Sequence, residues 1–171
     1  MCNKKLIGTK NYEKPIIVSL TSYSKRLLTV EKTIQSIIRQ TYQNIKVILW
    51  VSHDDKNLIP ASLRKLESEI FNIKFVADIK SYKKLIPALK IYPDHIIITA
   101  DDDIIYSNNW IEVLLKEHLR YNNDIIAHRC HRIKFDSNGN MLPYKYWQHC
   151  VKIYSRSILN FTTCGGACRA F

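Results

Sequence analysis

The chain has 171 residues, enough for one domain with a buried core. Hydrophobic residues make up 46% of it and charged residues 24%, the usual balance of a globular protein. No apolar run approaches the ~20 residues that span a bilayer, and no apolar segment follows the lysines near the N-terminus. We therefore expect neither a transmembrane helix nor a signal peptide.

The charge of the chain is strongly positive. It carries 26 lysines and arginines against 15 acidic residues, a net charge of +11. Such an excess favours an anionic partner: nucleotide phosphates, an acidic membrane surface or nucleic acid. The alternative is that the charge only keeps the protein soluble. The five cysteines are odd in number and form no CxxC pair, which predicts reduced thiols in a cytoplasmic protein.

The first part of the chain alternates strands and helices. After a polar lead-in at residues 1–14, the apolar run 16–22 predicts a first strand, and the hydroxyl residues at its end predict a helix start. A second strand is predicted at residues 45–51. Between the two strands, apolar residues at helical spacing predict one buried helix face: Leu27, Val30, Ile34, Ile37 and Ile38.

Three further elements lead towards the centre of the chain. Pro60 opens a predicted helix over residues 61–70, a short strand follows at 73–76, and a short helix covers about residues 85–91. Pro87 lies close enough to the start of that helix to be tolerated. Strands that alternate with helices at this length predict an α/β fold with a mainly parallel sheet.

The most informative stretch is residues 96–106, an apolar strand that runs into Asp101, Asp102 and Asp103. A short β-branched run without a polar break predicts a central strand buried on both faces. The acids then lie at its carboxyl end, where open α/β sheets bind ligands. Three adjacent like charges favour a counter-cation, and hard oxygen ligands suit Mg²⁺ or Mn²⁺ and, with it, a diphosphate. The alternative is a solvated acidic turn that caps the next helix.

That next helix has a predicted start and a predicted buried face. Asn109 and Glu112 fit a capping box, in which each side chain accepts from the other residue's backbone N–H. Its apolar residues form one predicted stripe: Trp110, Ile111, Leu114, Leu115 and Leu119.

The pattern changes after Asp124 and predicts an antiparallel hairpin. Residues 125–135 read as one long strand, and a hairpin turn at 136–140 leads to a second strand near 144–154 that should pair with it. Beyond the hairpin we predict a short helical turn at 157–161 and a flexible loop at 162–166.

Several short segments follow one another in an order and spacing that match a known family. They are residues 21–23 with Arg26, residues 36–48, residues 82–85, residues 101–106, residues 127–131, and Gly165 with Gly166. Together they resemble family 2-type glycosyltransferases with the GT-A fold, and a bacterial set of sugar transferases among them. The strand with its aspartates is similar to the DxD motif. The resemblance runs from about Ile16 to Gly166. It implies a single domain over residues 1–171, with a nucleotide-binding half at 1–106 and an acceptor half at 107–171.

The resemblance implies a nucleotide site at the ends of the first strands. Thr21, Ser22 and Tyr23 would line the nucleoside pocket. Asp54 or Asp55 would hydrogen-bond the base.

It also implies a diphosphate site around the three aspartates. Lys84 would face the diphosphate or the base, and Asp101 would contact the ribose or a metal-bound water, as part of the metal site with Asp103. Asp103, helped by Asp102, would bind the Mn²⁺ or Mg²⁺ that offsets charge on the leaving nucleoside diphosphate. Arg26 suits a phosphate because a guanidinium matches phosphate geometry. The alternative for Arg26 is a solvated arginine in the first turn of a helix.

A sugar and acceptor site is implied in the second half of the chain. Its candidate residues are His128, Arg129, His131, Trp147, Gly165 and Gly166. Aromatic rings stack on sugar faces, although core packing also explains Trp147 and its tyrosine neighbours. The histidines and cysteines of this region are also residue types that bind zinc. No pair has the usual structural-zinc spacing, so strand residues beside unrelated thiols are favoured.

The function that the resemblance implies is transfer of a sugar from a nucleotide sugar, in the first instance a UDP-sugar, to an acceptor. The expected acceptor is a glycan or lipid-linked precursor of lipopolysaccharide or capsule, and the expected mechanism is metal-assisted and inverting. The expected location is the cytoplasm, with peripheral contact at the anionic inner face of the membrane. No nucleic-acid partner is expected.

An inverting transferase needs a carboxylate base, and the sequence has no Asp or Glu from residue 137 to 171. Residues 167–171 also depart from the family pattern, so we expect a C-terminally truncated domain with an incomplete acceptor half. One alternative is a nucleotide-binding remnant without activity. The other, a metal-dependent nucleic-acid-processing enzyme, would need more acids on neighbouring strands than Asp54 and Asp55 supply.

Overall fold

The computed structural model describes residues 15–121, 123–151 and 157–169. The strands in these ranges are β1 (Ile16–Thr21), β2 (Ile45–Ser52), β3 (Phe71–Val76), β4 (Ile96–Thr99), β5 (Ile126–Arg132) and β6 (Asn160–Arg169). The α-helices are α1 (Val30–Ile38), α2 (Ala61–Lys65), α3 (Ile86–Ile91) and α4 (Trp110–Arg120). Short 3-10 helices lie at Ser24–Leu28, Lys56–Leu58, Lys80–Lys84 and Tyr144–Tyr146. The predicted lead-in at 1–14 lies outside the described residues.

The strands form one mixed sheet in the order β3-β2-β1-β4-β6-β5. The first four are parallel, with Val18 of β1 opposite both Val47 and Ile98. β6 runs antiparallel to β4 on one side and to β5 on the other. The α/β fold with a mainly parallel sheet and an antiparallel part in the second half is therefore confirmed.

β4 is a central strand with a core on each face. Ile96 and Ile98 point into the larger core, with α1 and α4, while Ile97 points into a smaller one that contains Trp50 and Ala88. Alternation along a strand sends neighbours to opposite faces, so residues 96–98, which are covered on both sides, are all apolar. The chain then leaves the sheet at Ala100 and carries its acids out at the carboxyl edge.

The predicted helix face after β1 is formed in two pieces. Leu27 lies on the 3-10 helix, and Val30, Ile34 and Ile37 lie on α1; each is at most 1% exposed. The 3-10 helix and α1 thus pack into the larger core together with β1. None of the helices that the structure describes has the length and hydrophobicity needed to cross a bilayer.

The helix predicted at 61–70 is wrong in length, since α2 ends at Lys65. The residues that follow bond the next strand instead of continuing the helix. Glu67 Oε1 accepts from the backbone N–H of Ile73 at 3.0 Å, and Ser68 Oγ accepts from that of Phe71 at 3.2 Å. The backbone N–H of Ser68, which a continuing helix would bond to the carbonyl four residues earlier, donates instead to the carbonyl of Phe71 at 2.9 Å.

The capping box predicted at Asn109 and Glu112 is wrong. Asn109 makes no side-chain cap; instead Gln40 Oε1, at the end of α1, accepts from the backbone N–H of Ile111 at 3.0 Å. His118, 3% exposed, takes the place predicted for Leu119 in the buried stripe, and Leu119 is 41% exposed. The spacing of four positions from Leu114 to His118 keeps these two on one helix face.

The predicted hairpin is correct in its turn and wrong in its second strand. Asp136 and Asn140 close the turn, and Gly139 has φ +81°, which favours glycine. β5 is shorter than predicted, and Tyr144–Tyr146 is a 3-10 helix. Beyond it, the described residues contact β5 through a bridge between Arg132 and Gln148 and a bond from the backbone N–H of Val151 to the carbonyl of Cys130. Residues 152–156 lie outside the described ranges.

The antiparallel partner of β5 is β6, so the helical turn at 157–161 and the loop at 162–166 are also wrong. Only a turn at Ser157 precedes the strand, where Asn160 N–H bonds the carbonyl of Ser157. Gly166 pairs with Ala127 of β5, which puts the glycines inside the sheet. Pairing of β6 with β5 along the strand, and with β4 at residues 167–169, outweighs the weak strand preference of glycine.

Candidate functional site

A cavity of about 570 Å³ opens at the carboxyl ends of the parallel strands. Seven of the predicted donor-site residues line it: Thr21, Tyr23, Arg26, Asp55, Lys84, Asp101 and Asp102. Four residues that were not predicted as site residues also line it: Asp78, Lys80, Ser81 and Lys83. Ser22, Asp54 and Asp103 are not among its lining residues. The topology explains why the lining residues meet, because the carboxyl ends of parallel strands lie at one edge of the sheet.

The three aspartates after β4 are each paired with a base. Arg26 donates from Nε to Asp102 Oδ2 at 2.9 Å and from Nη2 to Asp102 Oδ1, and Nη2 also lies 2.8 Å from Asp103 Oδ2. Lys84 Nζ lies 2.6 Å from Asp101 Oδ1. The hydrogen bonds to Asp102 and then Asp103 raise the pKa of the Arg26 guanidinium above its ordinary value. Arg26 is thus neither a solvated helix-turn arginine nor a side chain pointing away from the acids.

Backbone and hydroxyl groups fix the acidic loop, residues 101–106, which carries these three aspartates. The backbone N–H of Asp101 donates to Tyr106 Oη at 2.8 Å, and that of Tyr106 donates to Ser36 Oγ at 3.1 Å. Thr33 Oγ1 donates to the backbone carbonyl of Asp102 at 3.0 Å. Two residues of α1 therefore hold both ends of the acidic loop, and sequence reasoning did not identify them.

Lys84 is positioned by a buried chain of hydrogen bonds through β1 and β2. Trp50 Nε1 donates to Ser19 Oγ at 2.8 Å, and Ser19 Oγ donates to the backbone carbonyl of Lys84 at 2.5 Å. Ser19 and Trp50 are at most 1% exposed. A polar residue in an otherwise apolar strand was the one sequence signal for Ser19, since a buried hydroxyl needs a partner.

A second ion-pair cluster lines the cavity, at the 3-10 helix Lys80–Lys84 and at Asp78 just before it. Asp78 accepts from Lys80 at 2.8 Å and from Lys83, whose side chain is only 3% exposed. The hydrogen bonds from Lys80 and then Lys83 hold the pKa of Asp78 well below its usual range. The Asp78 hydrogen bonds also raise the pKa of Lys80. This cluster fixes the 3-10 helix from which Lys84 reaches Asp101.

The residues after β1 and β2 occupy distinct positions. Asp55 lines the cavity and accepts from Ser52 Oγ at 2.9 Å, whereas Asp54 is exposed. Thr21 Oγ1 donates to the backbone carbonyl of Trp50 at 2.8 Å. Tyr23 is 55% exposed, and its ring lies 5.8 Å from the Arg26 guanidinium carbon.

Ser22 lies deeper than its predicted role requires. It is fully buried, and its hydroxyl has no hydrogen-bond partner among the described residues.

The acidic loop fits a divalent ion that arrives with further ligands. The side chains of Asp103 and Asp101 are 61% and 29% exposed, and carboxylate oxygens suit Mg²⁺ or Mn²⁺. Within residues 15–121, 123–151 and 157–169, no three His, Cys, Asp or Glu side chains converge as a ready-made metal site. Mg²⁺ is commonly held by one or two carboxylates together with substrate phosphates and water, and these residues match that pattern.

The candidate acceptor residues on β5 and after it do not line this cavity. His128, Arg129, His131 and Trp147 are not among its lining residues. His131 is 4% exposed, and its Nδ1 accepts from the backbone N–H of Cys150 at 2.9 Å. Burial, followed by the charges of His149 and Arg129, lowers the pKa of His131. Trp147 donates to the carbonyl of Leu142 at 2.7 Å and contacts Phe161, which points to packing.

Comparisons with known proteins agree with this architecture. The family model described as Glycosyl transferase family 2 matches residues 18–171, so the match includes the tail that we expected to depart from the family. No curated protein matches the chain significantly.

Two solved structures are similar in fold. The 4-diphosphocytidyl-2C-methyl-D-erythritol synthase from Anaerococcus prevotii has a TM-score of 0.56 at 15% identity, over 90% of this chain and 69% of that one. A mannosyltransferase from Pyrobaculum calidifontis, in complex with GDP-Man and Mn²⁺, has a TM-score of 0.51 at 14% identity. The match to the mannosyltransferase covers 68% of this chain and 36% of that one.

Proposed function

Because the chain belongs to glycosyl transferase family 2, we propose that it transfers a sugar from a nucleotide-sugar donor to a glycan acceptor. The observation that carries the proposal is the cavity at the carboxyl ends of β1, β2 and β4, which brings Asp55, Lys84 and Asp101 to one place. These residues are far apart in sequence and were selected from it as donor-binding candidates.

In the proposed donor complex, the base lies at the β2 end and the diphosphate at the β4 end. Asp55 accepts from an N–H of the base, and Thr21 and Tyr23 line the nucleoside. Lys84 and Arg26 direct their cationic groups to the diphosphate.

Asp101 and Asp103 hold the divalent ion, with Asp102 anchoring the loop through its contact to Arg26. When bound, the ion offsets the negative charge that grows on the leaving nucleoside diphosphate.

The charge of the cavity wall supports a requirement for a cation. Four basic and four acidic side chains line it. The basic ones are Arg26, Lys80, Lys83 and Lys84, and the acidic ones are Asp55, Asp78, Asp101 and Asp102. Since these charges balance, the wall alone offers little net attraction to a diphosphate, in spite of the strongly basic chain. A divalent ion supplies the missing positive charge at the acidic loop.

For the finer specificity, we propose a UDP-sugar as donor and a glycan or lipid-linked precursor of a surface polysaccharide as acceptor, with inversion at the anomeric carbon. The test incubates the protein with Mn²⁺ and a panel of UDP- and GDP-sugars, and measures released nucleoside diphosphate. We expect release from one donor class that Asp103→Ala abolishes. Release from no donor by folded protein that binds UDP and Mn²⁺ would contradict catalysis.

That last outcome describes the second candidate function, nucleotide binding without transfer. It is favoured by one observation: the carboxylate of Asp136 accepts from the backbone N–H groups of Asn138 and Asn140, so it closes the turn after β5. The binding and release assays together separate the two functions.

We also propose that the protein contacts an anionic membrane surface through the end of the β5 hairpin. Phe135, Met141, Tyr144 and Tyr146 are each between 46% and 60% exposed there, and Lys134 and Lys145 lie beside them. Exposed aromatics with lysines suit the interface of an anionic bilayer. Sedimentation with phosphatidylglycerol vesicles, but not with phosphatidylcholine vesicles, is expected. Unchanged sedimentation of a Phe135→Ser/Met141→Ser variant would contradict this location.

A further inference from the structure

We propose that Arg26 is an internal counter-cation that competes with the divalent ion for Asp103 and transfers its contact to the donor diphosphate. The inference rests on the proposed function for the identity of the donor. Its first half, the competition, concerns only Arg26, the acidic loop and a metal ion.

The geometry divides the contacts of Arg26 into an anchor and a shared contact. The anchor is Asp102, whose side chain is 9% exposed and which binds the guanidinium through two nitrogens. The shared contact is Asp103, whose side chain is 61% exposed and which meets only Nη2, at 2.8 Å. Nη2 therefore bonds both carboxylates at once.

Asp103 is the acid that a divalent ion reaches most easily from solvent, and Arg26 already neutralises it. A guanidinium and a doubly charged cation on the same carboxylate repel each other, so binding of one weakens binding of the other. We therefore expect Mn²⁺ alone to bind the wild-type protein weakly.

A diphosphate changes this balance because it offers Arg26 a new partner. Arg26 lines the cavity, its side chain is 40% exposed, and the fork of a guanidinium fits phosphate oxygens. Nη2 leaves Asp103 for the phosphate while Nε stays with Asp102. The nucleotide and the metal then raise each other's affinity, as linkage requires.

The first experiment titrates Mn²⁺ alone, by calorimetry, into wild type and Arg26→Gln. Because a lost competing contact of this kind is worth about tenfold in affinity, we expect Arg26→Gln to bind Mn²⁺ about tenfold more tightly. Lys80→Gln is the matched control. It removes the same charge from the same cavity, but Lys80 is paired with Asp78. Equal Mn²⁺ affinity of Arg26→Gln and wild type would overturn the competition, and so would an equal gain in Lys80→Gln.

A second pair of variants covers the case in which Arg26→Gln does not fold. Arg26→Gln/Asp102→Asn removes both members of the buried pair, and Asp102→Asn alone keeps Arg26 beside Asp103. The double variant is expected to bind Mn²⁺ more tightly than Asp102→Asn. Equal affinities would refute the competition.

The second experiment titrates UDP and GDP in saturating Mn²⁺. Loss of a charge-assisted contact to phosphate predicts about tenfold weaker binding by Arg26→Gln than by Lys80→Gln. Unchanged nucleotide affinity would overturn the transfer to the diphosphate. Tighter Mn²⁺ binding by Arg26→Gln, together with no nucleotide binding by wild type, would instead overturn the donor site and leave the competition standing.

Discussion

The Arg26–Asp102 pair predicts unequal costs for removing its two members. Arg26→Ala leaves the Asp102 carboxylate unpaired at 8% exposure, and breaking a buried pair in this way costs about 3 kcal/mol. Asp102→Ala leaves a guanidinium whose side chain is already 40% exposed and still contacts Asp103, so the cost is about 1 kcal/mol. The double variant carries no unpaired buried charge and should also cost about 1 kcal/mol, well below the sum of the two singles.

Urea unfolding at pH 7 measures these costs. With an m-value of about 2 kcal/mol/M, the midpoint should fall by about 1.5 M for Arg26→Ala and by about 0.5 M for Asp102→Ala. Arg39→Ala, at an exposed position, is the control and should change stability by less than about 0.5 kcal/mol. If Arg26→Ala costs no more than Asp102→Ala, or if the double variant equals the sum, the asymmetry argued from burial is wrong.

Three further predictions concern pH dependence and base recognition. Burial lowers the pKa of His131 below its ordinary 6.5, so wild-type stability should fall as the pH drops below about 6.5, and His131→Asn should lose less in urea titrations across that range. The pKa of Asp78 lies below its ordinary 3.8, so its stabilising contribution is present above about pH 4 and is lost on further acidification. Asp78→Asn should therefore show a shallower loss of stability below about pH 4. Asp55→Ala should weaken UDP binding, measured by calorimetry, about tenfold, and Asp54→Ala should leave it unchanged. The reverse result would mean that Asp54, not Asp55, contacts the nucleotide base.

The part of the fold that sets the site could be predicted from the sequence. Residues 96–98 are apolar without interruption because β4 is covered on both faces, and acids that closely follow such a strand must lie at the edge of the sheet. Lys84 and Arg26 entered through the family resemblance. The structure adds that they meet Asp101 and Asp102, contacts between residues far apart in the chain.

The second half was less predictable for physical reasons. β6 contains Gly165 and Gly166, which have poor strand propensity, and it forms because β4 and β5 pair with it on both sides. Tertiary partners also decided the start of α4, where Gln40 provides the acceptor that Asn109 was expected to supply. Neither pairing leaves a local signal in sequence.

Calorimetric titration of UDP and GDP, with and without Mn²⁺, tests the donor site most directly. The proteins to compare are wild type, Asp103→Ala and Asp94→Ala, the last at an acid that precedes β4 rather than following it. We expect Mn²⁺-dependent binding of one nucleotide by wild type and Asp94→Ala, and its loss in Asp103→Ala. Binding of neither nucleotide by folded wild-type protein, or equal binding by Asp103→Ala, would contradict a metal-assisted nucleotide-sugar site at the end of β4.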